Sequence, residues 1–481
     1  MDAIAARSDT HPLRFWHLLM KTRSLIETDW TLTDPCIENS IADERETAII
    51  TPTNSRHILR RVILLASLAA FTAASYAAGD VSTSTAPADA QVAQATTPAP
   101  SPAAAPAAAP VPAPVWSVGS VDLSGYIDGY FSYNANRPAN QTNGGYNFDD
   151  LDQFNLEAAK VTLNHDPDPV GAHLDIIFGR TNSLIHCSSC DKTLNYIEQA
   201  YISVKPPRAK GFELDFGQFA TSAGQEVIET MSNWSYSHGI LFTDVTPYYH
   251  FGIRTSMPVT KNWTAGVQVV NGWNNVTANN GGVTIGLTSS LVKPKYTWNT
   301  NYYVGPENSG ITPPSYAGTQ KGYRNLIDNT LLLTPNAKFN MYVNYDYAQN
   351  HTPAIPAYGP YESPAYNAFS RHVQGVAVSA RGQISANGAL VGRYEYLADQ
   401  GSPLATAPIG TGTKQNLNEF TGTYEYKWLA GLLVRAEYRV DWSNVKYFSY
   451  GNDLSISPYT PTRTYQNTAT LGIIAFFGPK R

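Results

Sequence analysis

The chain has 481 residues, 43% of them apolar, with 30 tyrosines and a formal net charge of −5. No stretch past the N-terminal region is long and apolar enough for a transmembrane helix, and the charge offers no electrostatic footprint for nucleic acid. A Tyr-, Gly- and Asn-rich chain that is polar on average suits a transmembrane β-barrel, where lipid-facing and water-facing residues alternate and cancel in any hydropathy window.

Residues 1–55 are mixed and polar and show no sustained period, so they read as a leader that is unstructured or not native. Arg56, Arg60 and Arg61 then precede an apolar run from Val62 to Phe71, followed by small residues to Ala78. Basic start, short apolar stretch and small-residue cleavage site come in the order of a secretory signal peptide. Residues 56–78 are therefore expected to direct export, with cleavage near Ala77 or Ala78; a short buried helix is the alternative. A signal peptide belongs near a chain's start, so translation is expected to begin downstream of Met1, at a non-Met codon. Residues 79–116 are dominated by Ala, Pro, Thr and Ser. Such a tract buries too little apolar surface to offset its ordering entropy, and proline keeps it extended, so it reads as a disordered linker.

From residue 117 to 481 the pattern is all-β. Period-2 segments alternate with short turns and longer polar loops. The first strand carries Val121, Leu123, Ile127, Phe131 and Tyr133 on one face and Asp122, Tyr126, Asp128 and Tyr130 on the other. Further strands are expected up to Asp166, then over 170–180, 196–204 and 212–219. After a long interruption they continue over 247–257, 262–272, 282–292, 295–305, 322–333, 337–349, 370–383, 388–399, 414–427, 430–442 and 464–478. This predicts an antiparallel up-and-down transmembrane barrel of about 16 strands, within a range of about 14–18. Connections alternate short and long, the habit of outer-membrane barrels with tight periplasmic turns and long outer loops. Facing is clearest near the end of the chain, where Leu432, Val434, Ala436, Tyr438 and Val440 alternate with Arg435, Glu437, Arg439 and Asp441. A one-residue slip there would turn four charges to lipid, at a cost on the order of 10 kcal/mol.

Several segments resemble the OmpL-like outer-membrane β-barrel porins, the second family of such porins. The likeness is carried by Glu198-Gln199-Ala200-Tyr201-Ile202, Phe216 to Thr221, Gly224-Gln225-Glu226 and Asn233 to Ser237. It continues through Leu241-Phe242, Pro247 to Arg254 and Val270 to Asn275. The resemblance spans roughly Val118 to the C-terminus and is specific over Glu198 to Asn275; it implies the barrel fold and a channel, not a particular solute.

Ala220 to Thr246 is the third long loop by strand order, the one that commonly folds into the lumen in 16-stranded porins. Helix-prone residues from Ala223 to Met231 suggest a short packed turn, on which Glu226 and Glu229 share a face. Arg254, Arg393, Arg435 and Arg439 on the wall would oppose them across a constriction, with Glu395, Glu437 and Asp441 completing a balanced set of lumen charges. The alternative is that the wall charges merely pair with one another. Balanced charge argues against an all-basic anion pore.

Cys187 and Cys190 form a single C-x-x-C, which suits a local disulfide in an oxidising compartment, against a redox pair or half a zinc site. Ser235, Ser237 and His238 suggest a hydrolase, but no nucleophile elbow, H-E-x-x-H or P-loop accompanies them. No catalytic residue, cofactor or metal is expected. The reading is a Gram-negative outer-membrane porin, reached through the signal peptide, that passes small hydrophilic solutes by diffusion. Its partners are membrane lipid and those solutes, with homo-oligomeric assembly left open. A channel specific for a sugar, peptide or metabolite is the alternative, and a lipolytic outer-membrane enzyme the more distant one.

Overall fold

Alternating strands close on themselves. The computed structural model describes residues 117–478, apart from 119, 139–140, 142, 145–152, 187–193, 279–281, 309–321, 353–368, 401–413 and 452–460. The predicted leader, signal peptide and linker, and both Cys187 and Cys190, lie outside the described residues. The strands are β1 (Ser117–Val118), β2 (Val121–Asn134), β3 (Phe154–His165), β4 (Val170–Phe178), β5 (Ile197–Val204) and β6 (Glu213–Ala220). Then follow β7 (Tyr249–Thr260), β8 (Trp263–Val270), β9 (Thr284–Lys293), β10 (Tyr296–Asn308), β11 (Gly322–Asn336) and β12 (Phe339–Thr352). The last are β13 (Phe369–Gln383), β14 (Gly388–Asp399), β15 (Gln415–Leu429), β16 (Leu432–Ser443) and β17 (Tyr465–Phe477).

From β2 onward each strand pairs antiparallel with the next, and β17 pairs with β2, so sixteen strands form a closed barrel. The two-residue β1 adds only to β2. Closure sets Ile473 beside Gly129 and Thr470 beside Ser132, whose hydroxyls lie 2.8 Å apart. A closed sheet leaves no edge unpaired, which is what lets strands cross a bilayer. The predicted facing holds. On β16, Arg435, Glu437, Arg439 and Asp441 are buried while Ala436 and Tyr438 face out. Trp263, Trp298, Trp428, Phe476 and Phe477 are exposed near the short-turn rim, where an aromatic girdle meets the membrane interface.

One strand ends earlier than its pattern suggests. β4 stops at Phe178, and Arg180–Ile185 forms a short helix, α1. Gly179 makes the turn at φ 118°, and a Cβ there would sit 2.9 Å from the Ala158 Cα, so the position requires glycine. Loop length alternates along the whole barrel. The connection from β6 to β7 is the third long one, and all of it is described.

Candidate functional site

The β6–β7 segment, residues 221–248, has little regular structure of its own. It holds a 3-10 turn, Thr230–Ser232, and a five-residue helix, α2 (Ile240–Asp244). The helical turn expected over 223–231 is therefore not formed across Glu226 and Glu229. Locally, Asn233 replaces it with a side-chain staple: its Oδ1 accepts from the Val227 N–H at 2.9 Å and its Nδ2 donates to the Val227 carbonyl at 2.8 Å.

Many of the segment's other backbone groups bond to the wall, since buried peptide groups need partners. Arg435 donates to the carbonyls of Thr230 and Asn233, and to that of Ser235 at 3.2 Å. Arg393 donates to the Ser237 carbonyl at 2.7 Å and Arg439 to the His238 carbonyl at 2.6 Å. Carboxylates take the N–H groups. Glu437 accepts from Tyr236 at 2.7 Å and Ser237 at 3.1 Å, and Glu395 from Leu241 at 2.9 Å. Asp128 accepts the Tyr236 hydroxyl at 2.8 Å and that of Thr230. Apolar contacts finish the seat: Trp234 lies against Tyr342 with ring centroids 5.1 Å apart, and the Tyr236 ring rests where a Cβ on Gly472 would be.

Of the two predicted loop acids, one meets a predicted arginine and the other a lysine. Glu226 is ion-paired with Arg393 and accepts the Gly239 N–H at 2.6 Å. Glu229 is ion-paired with Lys160. Arg393 and Arg439 share Glu419, at 2.7 and 3.1 Å, and Arg439 also reaches Asp441 at 2.8 Å. Arg254 stands apart: it pairs with Asp215 at 2.6 Å and lies over the rings of Tyr201 and Phe219. Glu395, Glu437 and Asp441 are all buried on the inner face. Lys160, Asp128, Glu419 and Glu425 are the residues sequence reasoning missed. Their signal was parity, since each sits at an inward position of an alternating strand.

Acidic and basic side chains are not matched in number. Among the described residues, sixteen carboxylates are buried against five cationic side chains. The balance inferred from the predicted loop and wall charges does not extend to the other buried side chains. Within the loop, burial and the neighbouring Asp399 hold the Asp244 carboxyl well above its usual range, while burial pulls the His238 imidazole down. His238 Nε2 faces the carbonyls of Val227 at 3.0 Å and Ile228 at 3.1 Å, so that nitrogen carries the proton and is no base for Ser237. The Ser237 hydroxyl instead lies 3.3 Å from Arg439 and 3.4 Å from Arg393.

A closed sixteen-stranded barrel with charged groups inward and aromatics outward defines the outer-membrane porin class. Residues 120–477 match the family described as "Putative beta-barrel porin-2, OmpL-like", and the chain belongs to that family. A search of curated proteins finds no significant match. Among solved structures, the chain is similar to the trimer form of OmpT, an outer membrane protein of Vibrio cholerae. The identity is 14%, the TM-score 0.48, and the match covers 74% of this chain and 99% of that one. It is similar to an anion-selective porin from Comamonas acidovorans at 8% identity and TM-score 0.47, over 74% of this chain and 99% of that one. It is also similar to the outer membrane channel DcaP of Acinetobacter baumannii at 12% identity and TM-score 0.47, covering 74% and 97% of the two chains.

Proposed function

We propose that the protein is a passive, non-enzymatic diffusion channel for small hydrophilic solutes, narrowed by residues 220–246 and favouring cations. It is exported under the signal peptide at 56–78 and works in the outer membrane of a Gram-negative cell. The observation that carries the reading is the clamp on the loop. Five inward side chains from β14 and β16 (Arg393, Glu395, Arg435, Glu437 and Arg439) bond its backbone between Thr230 and Leu241. A segment held in this way occupies cross-section that a solute would otherwise use. The excess of buried carboxylates supports the cation preference, because fixed charge along a pore raises the local concentration of counter-ions.

The test is planar-bilayer recording of the purified, refolded barrel under a potassium chloride gradient. Stepwise conductance with a reversal potential displaced toward the potassium equilibrium value is expected. Absence of conductance steps removes the channel reading. A displacement toward the chloride value removes the cation preference and leaves the channel. Block by a sugar, peptide or metabolite at micromolar concentration would favour a substrate-specific channel instead.

A further inference from the structure

We propose that the cleft between Trp263 and Trp298, on the outer face of the barrel, is a binding site for one anionic phospholipid, with Lys261 and Lys293 holding its phosphate. The proposal rests on the outer-membrane reading above, with the short turns on the periplasmic side. Strand register builds the cleft. Trp263 of β8 and Trp298 of β10 both stand beside Leu291 of β9, one on each side. The next outward row is Ala265, Ser289 and Thr300, all short side chains. Two exposed indoles therefore rise over a low floor and leave a hollow of about 440 Å³, lined also by Thr260. Ser289 accepts the Trp263 indole N–H at 2.9 Å, which orients that wall.

The turn-side end of the cleft is basic. The β7–β8 turn lies against the end of β9, where the Asn262 carbonyl accepts the Val292 N–H at 2.8 Å. With its amide oriented to suit both neighbours, Asn262 accepts from the Lys293 ammonium at 2.8 Å and donates to the Lys261 carbonyl at 3.2 Å. Lys293 is thereby held next to the residue that precedes Trp263. Among the described residues, neither Lys261 nor Lys293 has a carboxylate partner. The rim around them has the same sign. The four short turns from β5–β6 to β11–β12 carry Lys205, Arg208, Lys210, Lys261, Lys295 and Lys338, and no acid. The short turns at 166–169, 384–387 and 430–431 carry no basic residue, so the positive charge is confined to the flank that holds the cleft.

Depth and charge together select the occupant. Tryptophans of the girdle sit at the level of the lipid headgroups. The two ammonium groups, just beyond Trp263 on the turn side, then meet the phosphate, while the floor of the cleft meets the glycerol and the first carbons of an acyl chain. Lysine suits this place because its stem lies along apolar surface while its ammonium reaches outward. A zwitterionic headgroup brings a cation of its own against the lysines; a headgroup with net negative charge does not. One lysine near an anionic surface is worth about five-fold in affinity, so the site should choose between phospholipids rather than merely touch them. A second copy of this chain docked two-fold on the same face would set these lysines against one another, which disfavours it.

The experiment uses the refolded full-chain barrel in mixed micelles. It is titrated with dibrominated phosphatidylglycerol or with dibrominated phosphatidylcholine of the same chains, and quenching of tryptophan fluorescence is read. Half-quenching is expected at a mole fraction of phosphatidylglycerol about five-fold or more below that of phosphatidylcholine. Lys261→Gln combined with Lys293→Gln should remove that preference. Trp263→Phe combined with Trp298→Phe should remove the preferential part of the signal, in both cases with unchanged circular dichroism. Lys210→Gln combined with Lys338→Gln takes the same charge from elsewhere on the rim and should keep the preference. Equal quenching of the wild-type barrel by both lipids overturns the site alone. So does a preference that survives loss of Lys261 and Lys293, or one lost equally with Lys210 and Lys338. Protection of Trp263 and Trp298 from phosphatidylglycerol in a dimeric barrel would seat a second copy there and also overturn it. Quenching by neither lipid overturns the site and the membrane reading together. Conductance is measured separately, so a barrel that conducts and shows no lipid preference refutes this site and leaves the channel reading intact.

Discussion

Arg435→Met tests the clamp most directly. Arg435 donates to three loop carbonyls, those of Thr230, Asn233 and Ser235, and pairs with Glu425 at 2.8 Å. Methionine keeps the aliphatic bulk and removes every donor. The substitution does not strand its acidic partner, because Arg381 also reaches Glu425 at 2.8 Å. What is lost falls mainly on the loop. Each hydrogen bond from a charged donor contributes about 1.5–3 kcal/mol, and lumen water recovers part of that once the carbonyls are freed. A net loss of about 3–4 kcal/mol follows, which shifts the held-to-released ratio of the loop by roughly two to three orders of magnitude. Single-channel recording should show larger mean conductance and more open-channel noise. Arg381→Met is the control, since it leaves the three loop carbonyls bonded and should keep wild-type conductance. If the two variants conduct alike, the loop is not held by Arg435 and the clamp is wrong.

Two further predictions use other parts of the seat. Gly472→Val places a side chain where the Tyr236 ring now packs, and overpacking of this kind costs about 1–3 kcal/mol. The loop should become sensitive to added protease while the barrel's strand signal persists; unchanged protection would show that Tyr236 does not anchor the segment. Asp244 supplies a pH signature. Its folded carboxyl is held well above the unfolded value, so the folded barrel keeps a proton that the unfolded chain has released. Stability should therefore be full in acid and fall as pH rises from about 4 toward the raised folded value. Asp244→Asn should flatten that fall, read as the difference between denaturant midpoints at about pH 5 and about pH 8. A pH profile parallel to wild type would refute the assignment.

Much of the fold is legible in the sequence because side-chain direction along a strand has a period of two. Arg435, Glu437, Arg439 and Asp441 alternate with Leu432 to Val440 so strictly that only one register keeps charge out of lipid. The same parity, with short and long connections in turn, determines strand number, order and the place of the third long loop. It does not reach pairings among inward groups. Arg435 meets the Thr230 carbonyl across 205 positions, and Lys160 meets Glu229 across 69. Those partners are chosen by barrel closure and by how the loop lies against the wall, which no local period encodes. The expected turn over 223–231 fails for the same reason. Its peptide groups bond to Asn233 and to wall arginines instead of four residues back. The sequence alone therefore determines which residues face inward. Only the tertiary structure decides which of those charges clamp the loop, and which acids pair with Lys160, because electrostatic contact depends on distance in space and not on position along the chain.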